Sequence, residues 1–309
     1  MRIAVIGAGA VGGTYGAALA RADADADVTF VARGAHLRAL REHGLRVMSA
    51  RGDTHIQPCK ATDNPGEIGV VDVVLFCVKL WDVESAGSAI TNIVGPRTAV
   101  IPLQNGIDAT DRLIPILGRH AVMAGLARIS AAIDQPGVIR QTGTLMKIEF
   151  GELDGQMSER GLAFQALCQR AGFDATLSDR IQTALWEKFV LLAVNSSIAS
   201  MIRLPFGKLH ADTDVMNLFS AAYAEIIAVG RALGASLPAD TQARMEQEMR
   251  KLPASQLPSM TVDLLRGNRL ELPWLAGKVV ALGKQVGVPT PLFSVMYAAL
   301  KLYANGAPQ

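Results

Sequence analysis

Residues 1–13 read Met-Arg-Ile-Ala-Val-Ile-Gly-Ala-Gly-Ala-Val-Gly-Gly. The run 2–6 is short and apolar, as suits a buried strand. Gly7, Gly9 and Gly12 then follow the spacing Gly-x-Gly-x-x-Gly, ahead of a helical stretch that ends near Arg21. In this pattern each glycine has its own task. The first permits a tight turn, the second lets backbone approach a diphosphate, and the third lets helix and strand pack closely. Ala8, Ala10 and Val11 complete the loop, and the free N–H groups at the helix start face an anion. Chance clustering could give the spacing, but its place between a strand and a helix points to dinucleotide binding.

Working outward, a second strand is predicted over 28–32 and a helix over 36–43. A short strand pair starts at 45–49 and reaches Cys59. The stretch 70–78 crowds β-branched residues without alternation, the pattern of a parallel strand covered on both faces. A helix over 83–93, a strand over 99–103 and a polar turn at 104–106 follow. This βαβα order with short connections predicts a doubly wound α/β sheet. Residues 138–142 and 145–150 read as a hairpin around Gly143, adding antiparallel strands. A helix over 158–170 and a final strand over 172–177 complete the first half. Beyond it only helices are predicted, over 179–202, 213–233, 238–251 and 273–286, with a shorter one after Pro291. The expected organisation is a dinucleotide-binding α/β domain over 1–178 and an all-helical domain over 179–309. The cleft between two such domains is the expected site.

Composition narrows the function classes. Thirty basic against 28 acidic side chains leave a net charge of +2, which builds no broad positive field for a nucleic acid. Cys59, Cys77 and Cys168 form no paired-cysteine motif, so neither a metal site nor a disulfide framework is expected. No stretch is apolar for 18 residues without interruption, so no membrane span is expected, and the five-residue run near the start is too short for a signal peptide. A reducing cytoplasm is the expected compartment.

The end of the second strand chooses between cofactors. An NAD site places Asp or Glu there for the ribose hydroxyls. Here the chain reads Val31-Ala32-Arg33-Gly34, and Asp23, Asp25 and Asp27 precede the strand, at its wrong end. Arg33 is placed to fork onto a 2′-phosphate, so NADPH is the expected cofactor; a solvated surface arginine is the alternative. Lys79 and Asn105 follow the strands predicted over 70–78 and 99–103, at the edge where open α/β sheets bind ligands. Either could meet ribose hydroxyls or cofactor phosphates, and Asn105 could also meet the substrate. In the helical half, Lys188 lies in an apolar stretch with Trp186, Phe189 and Leu192. It reads either as a snorkelling rim residue or as an ammonium that polarises a carbonyl and supplies its proton. Asn195 and Ser196 return to roughly the same helix face, whereas Glu187 reads as an ion-pair partner. Glu271 precedes a helix that Pro273 can start, so it reads as a helix-terminus acid or as a site group. Asp263 reads as a helix-surface residue or an organiser of nearby arginines.

Taken together, 3–13 (IAVIGAGAVGG), 73–79 (VVLFCVK), 103–106 (LQNG), 185–189 (LWEKF), Pro258-Ser259-Met260 with Asp263, and 268–280 (NRLELPWLAGKVV) resemble the ketopantoate reductase family over essentially the whole chain. The resemblance implies a Rossmann-like N-terminal domain with a helical C-terminal domain. It further implies NADPH-dependent reduction of ketopantoate to pantoate, on the route to pantothenate and coenzyme A. By the same resemblance Lys188 is the catalytic lysine and general acid, and Glu271 is the acid that hydrogen-bonds the substrate hydroxyl. Ser259 contacts the substrate carboxylate, and Lys79 and Asn105 lie at the cofactor–substrate junction. Oligomeric state stays open, a homodimer being the assembly considered.

This chain departs from the family in the pocket. Members place asparagines four and eight residues after the lysine, where this chain has Leu192 and Ser196, with Asn195 one residue earlier. Ala276 stands where an asparagine often precedes the last motif's glycine. Two alternatives follow: a reductase of a more apolar 2-keto acid, or a non-catalytic NADP(H)-binding sensor on the same scaffold.

Overall fold

The computed structural model describes residues 1–22 and 26–308. The chain divides into two compact units, one of Met1–Gln104 with Asp108–Ile181 and the other of Asn105–Ile107 with Gln182–Gln309.

In the first unit the order is β1 (Arg2–Ile6), α1 (Ala10–Ala22), β2 (Asp27–Val31), α2 (Gly34–His43), β3 (Leu45–Met48), β4 (Thr54–Ile56), β5 (Ala61–Thr62), β6 (Val71–Phe76), α3 (Val83–Ala89) and β7 (Val94–Pro102). It continues with α4 (Ala109–Leu117), β8 (Ala124–Gln135), β9 (Val138–Gly151), α5 (Glu159–Arg170) and β10 (Asp174–Leu177). One five-stranded sheet runs β5-β2-β1-β6-β7, with every pairing parallel. Strand order reverses between β1 and β6, so the glycine loop leaves β1 at the switch point where such sheets bind ligands. Each central strand is buried along nearly its full length, which explains the unbroken apolar runs. The doubly wound α/β sheet expected from the sequence is present.

A second sheet runs β10-β9-β3-β4, with β8 along the other side of β9. The hairpin expected around Gly143 is absent. Instead 138–151 is one 14-residue strand that pairs antiparallel with β8, and the turn lies at 136–137. Gly143 has a positive φ of 71° inside that strand, near a register shift between Ile129 and Ala131. Its glycine marks a kink, not a turn.

Helix α1 packs against strands of both sheets, and its own sequence shows why. A Cβ on Gly13 would lie 2.3 Å from Ile139 Cδ1, and one on Gly16 would lie 2.4 Å from Phe30 Cε1. Glycine inside a helix costs about 1 kcal/mol against alanine; here the close approach of both sheets offsets it. The fully buried Tyr15 adds a tether, its hydroxyl donating to the Lys147 carbonyl at 2.8 Å.

The second unit carries α6 (Ile181–Ile202), α7 (Phe206–Leu209), α8 (Thr213–Ala232), α9 (Thr241–Arg250), α10 (Ser259–Leu265), α11 (Ala276–Val286) and α12 (Pro291–Leu300). α6 is long and apolar enough to cross a membrane by length and composition, yet most of it is buried in the protein. It serves as the spine of this core, with Phe189, Val190, Val194 and Ile198 packed among Phe219, Tyr223, Ile226 and Phe293. Two polar devices fix its neighbours. The Glu225 carboxylate accepts the N–H groups of Leu292 and Phe293 at 2.8 and 3.2 Å, which caps α12 and complements its dipole. Ser200 on α6 and Thr261 on α10 share a buried hydroxyl–hydroxyl bond of 3.0 Å.

Candidate active site

The glycine loop is built as three separate steric solutions. Gly7 has φ +90°, and a Cβ there would lie 2.8 Å from the Val78 backbone nitrogen. Gly12 is close-packed: its Cβ would fall 2.4 Å from the Gly7 carbonyl oxygen and 2.9 Å from Val5 Cγ1. A Cβ on Gly9 would meet no atom within 4 Å, so open space lies beside that backbone. These are the constraints a diphosphate-binding turn imposes. Ala8 is buried, while Ala10 and Val11 begin α1 at the loop's end.

Backbone bonds hold this loop against the end of β2. The N–H groups of Gly7 and Ala8 both donate to the Val31 carbonyl, at 3.2 and 2.9 Å. Arg33 stands two residues on, exposed, in extended backbone at the N-cap of α2, with no capping bond from its side chain. No acidic residue occurs over 32–41. Asp27, at the opposite end of β2, pairs with Lys60 at 2.6 Å; Asp23 and Asp25 lie outside the described residues.

Lys79 is exposed, three residues past the end of β6, with its ammonium 5.6 Å from the Trp81 ring centroid. Beside it the structure reveals a role that sequence reasoning missed. Gln104 is buried, and its amide donates to the carbonyls of Phe76 and Val78 at 2.9 and 3.1 Å. It therefore secures the backbone that packs on Gly7. The sequence offered only a polar turn at 104–106, because the acceptors lie 28 and 26 residues earlier, on β6 and just past its end.

In the second unit, Asn105 and Glu271 meet. The Asn105 amide donates to Glu271 Oε2 at 3.1 Å, and Glu271 is only 7% exposed. Glu271 begins a 3-10 turn over Leu272–Trp274, and α11 starts only at Ala276. A burial this deep sets it apart from a solvated helix-terminus acid. Lys188 is half-buried on α6, seven residues before Asn195. Ser259 is the exposed first residue of α10, the helix fastened to α6 through Thr261. Glu187 forms an ion pair with Arg244 at 2.5 Å. Asp263 accepts from the Asn268 amide at 3.1 Å.

Asn195 follows Lys188 by two turns on the unbroken helix α6, as expected, and its side chain enters the core. Its Oδ1 accepts the Tyr223 hydroxyl at 2.6 Å, with both side chains buried, so its carbonyl is committed to the core. Ser196 is fully buried, and its Oγ has no hydrogen-bond partner among the described residues. Leu192 is half-buried and Ala276 is fully buried. Among the described residues no group of three or more His, Cys, Asp or Glu is arranged to hold a metal.

The parallel sheet, its switch-point glycine loop and the helical second unit define a nicotinamide-dinucleotide oxidoreductase, with a Rossmann-type NAD(P)-binding domain. The chain belongs to the ketopantoate reductase PanE/ApbA family, whose N-terminal model matches residues 3–155 and whose C-terminal model matches 180–304. It is 28% identical over 324 residues to a 2-dehydropantoate 2-reductase of Mesorhizobium japonicum, covering 98% of each chain. It is 27% identical to the uncharacterized oxidoreductase YkpB of Bacillus subtilis, covering 98% of this chain and 99% of that one. Among solved structures, a PanE/ApbA family ketopantoate reductase from Ralstonia eutropha JMP134 is 31% identical with a TM-score of 0.89, covering 98% of both chains.

Proposed function

We propose that this chain is an NADPH-dependent reductase of a 2-keto acid, with ketopantoate as the substrate and pantoate as the product. The observation that carries this reading is the Asn105–Glu271 hydrogen bond around a buried carboxylate. A protein keeps such a group at a cost in desolvation, and a substrate hydroxyl is a fitting second donor to it. The names of relatives such as the Mesorhizobium enzyme support the same substrate.

The cofactor's residues fit their tasks. Gly7, Ala8, Gly9, Ala10, Val11 and Gly12 offer backbone and the start of α1 to the diphosphate. Arg33 takes the 2′-phosphate, and Lys79 and Asn105 take the ribose and nicotinamide side. When bound, NADPH supplies the hydride that reduces the keto carbon. Lys188 hydrogen-bonds the carbonyl oxygen, stabilises the growing negative charge and donates the proton that completes the hydroxyl; solvent then reprotonates it. Glu271 accepts from the substrate hydroxyl, and Ser259 donates to the substrate carboxylate. The expected setting is the cytoplasm, in the synthesis of pantothenate and coenzyme A.

A second reading rests on Leu192 and Asn195 of α6 and on Ala276 at the start of α11. Leu192 and Ala276 are apolar, and the Asn195 carbonyl is already engaged by Tyr223. Fewer polar partners favour a 2-keto acid with a plain hydrocarbon side chain. Measuring kcat/KM for ketopantoate and for branched and aromatic 2-keto acids, with NADPH and with NADH, tests both readings. A clear ketopantoate preference supports the first and an apolar preference the second. No NADPH oxidation with any of them would leave a nucleotide-binding sensor.

A further inference from the structure

His36, in the first turn of α2, contacts the glycine loop through one ring nitrogen and a distant turn through the other. Its Nδ1 accepts the Gly137 N–H at 3.1 Å, and its Nε2 lies 2.8 Å from the Ala8 carbonyl oxygen. An Nδ1 that accepts carries no proton, so the ring proton is on Nε2 and is donated to Ala8. An imidazolium, protonated on both nitrogens, could not accept from Gly137. Burial holds the ring below the ordinary histidine value, against the opposing pull of the Ala8 carbonyl.

The Gly137 end of this link is firmly seated. Gly137 forms the turn between β8 and β9 with φ +78°, and its carbonyl accepts the Arg46 N–H at 2.9 Å. A Cβ added to it would lie 3.0 Å from the Cβ of Ala39 on α2, so the turn packs against the helix that carries His36. The imidazole is thus aimed by two independent elements.

We propose that His36 is a positioning residue for the dinucleotide, fixing the Ala8–Gly9 peptide in its binding orientation. The peptide is planar and trans, so its C=O and N–H point in opposite directions. With the Ala8 carbonyl held by the imidazole, the Gly9 N–H is turned the other way. The space beside Gly9 is open, and a donor fixed before binding loses no freedom when the anion arrives. Because the diphosphate is common to NADPH and NADH, His36 acts on both nucleotides, whereas Arg33 distinguishes them. The inference rests on the first unit's binding of a nicotinamide dinucleotide and is independent of which keto acid is reduced.

The test compares the full-length wild type with His36→Ala, His36→Phe and His36→Gln. NADPH and NADH are titrated by nucleotide fluorescence, and thermal midpoints are measured without nucleotide. His36→Ala and His36→Phe should weaken both nucleotides roughly tenfold, the value of one positioned hydrogen bond. His36→Gln, whose amide can still donate to Ala8, should recover most of that loss. Wild-type affinity in the alanine and phenylalanine variants would overturn the proposal. So would a glutamine variant as weak as phenylalanine, with affinity falling only in step with the thermal midpoint. Imidazole nitrogen chemical shifts of the wild type give a check that needs no variant, and a proton found on Nδ1 would also overturn it. A wild type that bound neither nucleotide would instead refute the cofactor assignment itself.

Discussion

Asn105 donates its side-chain amide to Glu271 at 3.1 Å, joining residues 166 positions apart. A carboxylate as buried as Glu271 depends on its donors, and removing one from a buried acceptor costs about 1–3 kcal/mol. Asn105→Ala should therefore destabilise the protein by that amount in urea unfolding and lower kcat/KM as well. Glu271→Gln retains an acceptor oxygen and the side-chain shape. It should keep most of the stability while losing most of kcat/KM. Equal activity in wild type and Glu271→Gln would reduce the pair to a structural contact.

Lys188→Ala should lower kcat by about 10²–10⁴, the usual loss on removing a positioned acid. NADPH affinity should hardly change, since the glycine loop and Arg33 belong to the first unit. Lys188→Arg keeps the charge but holds its proton too tightly and has a different shape, so it should stay well below wild type. Near-wild-type kcat in the alanine variant would transfer the acid role, with Lys79 the first alternative.

Arg33→Ala should weaken NADPH about tenfold to a hundredfold, the range for losing charge-assisted hydrogen bonds, and leave NADH nearly unchanged. The guanidinium is exposed, so added salt should narrow the wild-type gap between the two nucleotides. Titration of both nucleotides at two ionic strengths decides it, and equal losses would end the 2′-phosphate assignment.

A pH dependence resides in Glu152 and Arg160 of the first unit. Two bonds of 2.7 and 2.6 Å join the guanidinium to the carboxylate, and Ser158 donates to it as well. Burial alone would raise the Glu152 value, but the bonds from Arg160 and Ser158 outweigh it and hold the group below the ordinary carboxylate range. A depressed folded value stabilises the fold fully above the unfolded value of about 4.3. That contribution is lost as pH falls through the folded value. Acidification below about pH 4.3 should thus lower the thermal midpoint more steeply in wild type than in Glu152→Gln. Parallel slopes would show that the pair contributes nothing.

What could be read from the sequence was local. The first strand, the glycine spacing and the absence of an acid after β2 all lie within a few dozen residues, where periodicity and turn chemistry act. The strand β8 went unrecognised and β9 was split, because Gly143 carries the mark of a turn while it actually sits at positive φ inside β9, where the register with β8 shifts. The 3-10 turn after Glu271 and the seven-residue α10 were too short for a periodic signal. The roles of Gln104, His36 and Asn195 are set by Val78, Ala8 and Tyr223 respectively. Such partners are chosen by topology, and no spacing rule shows them.

The assignment of residues 105–107 to the second unit means that this unit is not a continuous piece of chain. Its sequence is interrupted by the whole stretch from Asp108 to Ile181, which returns to the first unit. A protease nick or an expression boundary placed between Ile181 and Gln182 would therefore sever the molecule without sorting its parts. The fragment 182–309 would carry Glu271 away and leave its amide donor behind on the other piece. Restoring that carboxylate would require the two fragments to reassociate, which makes recovery of the second unit's stability on mixing them a measure of how much three displaced residues contribute.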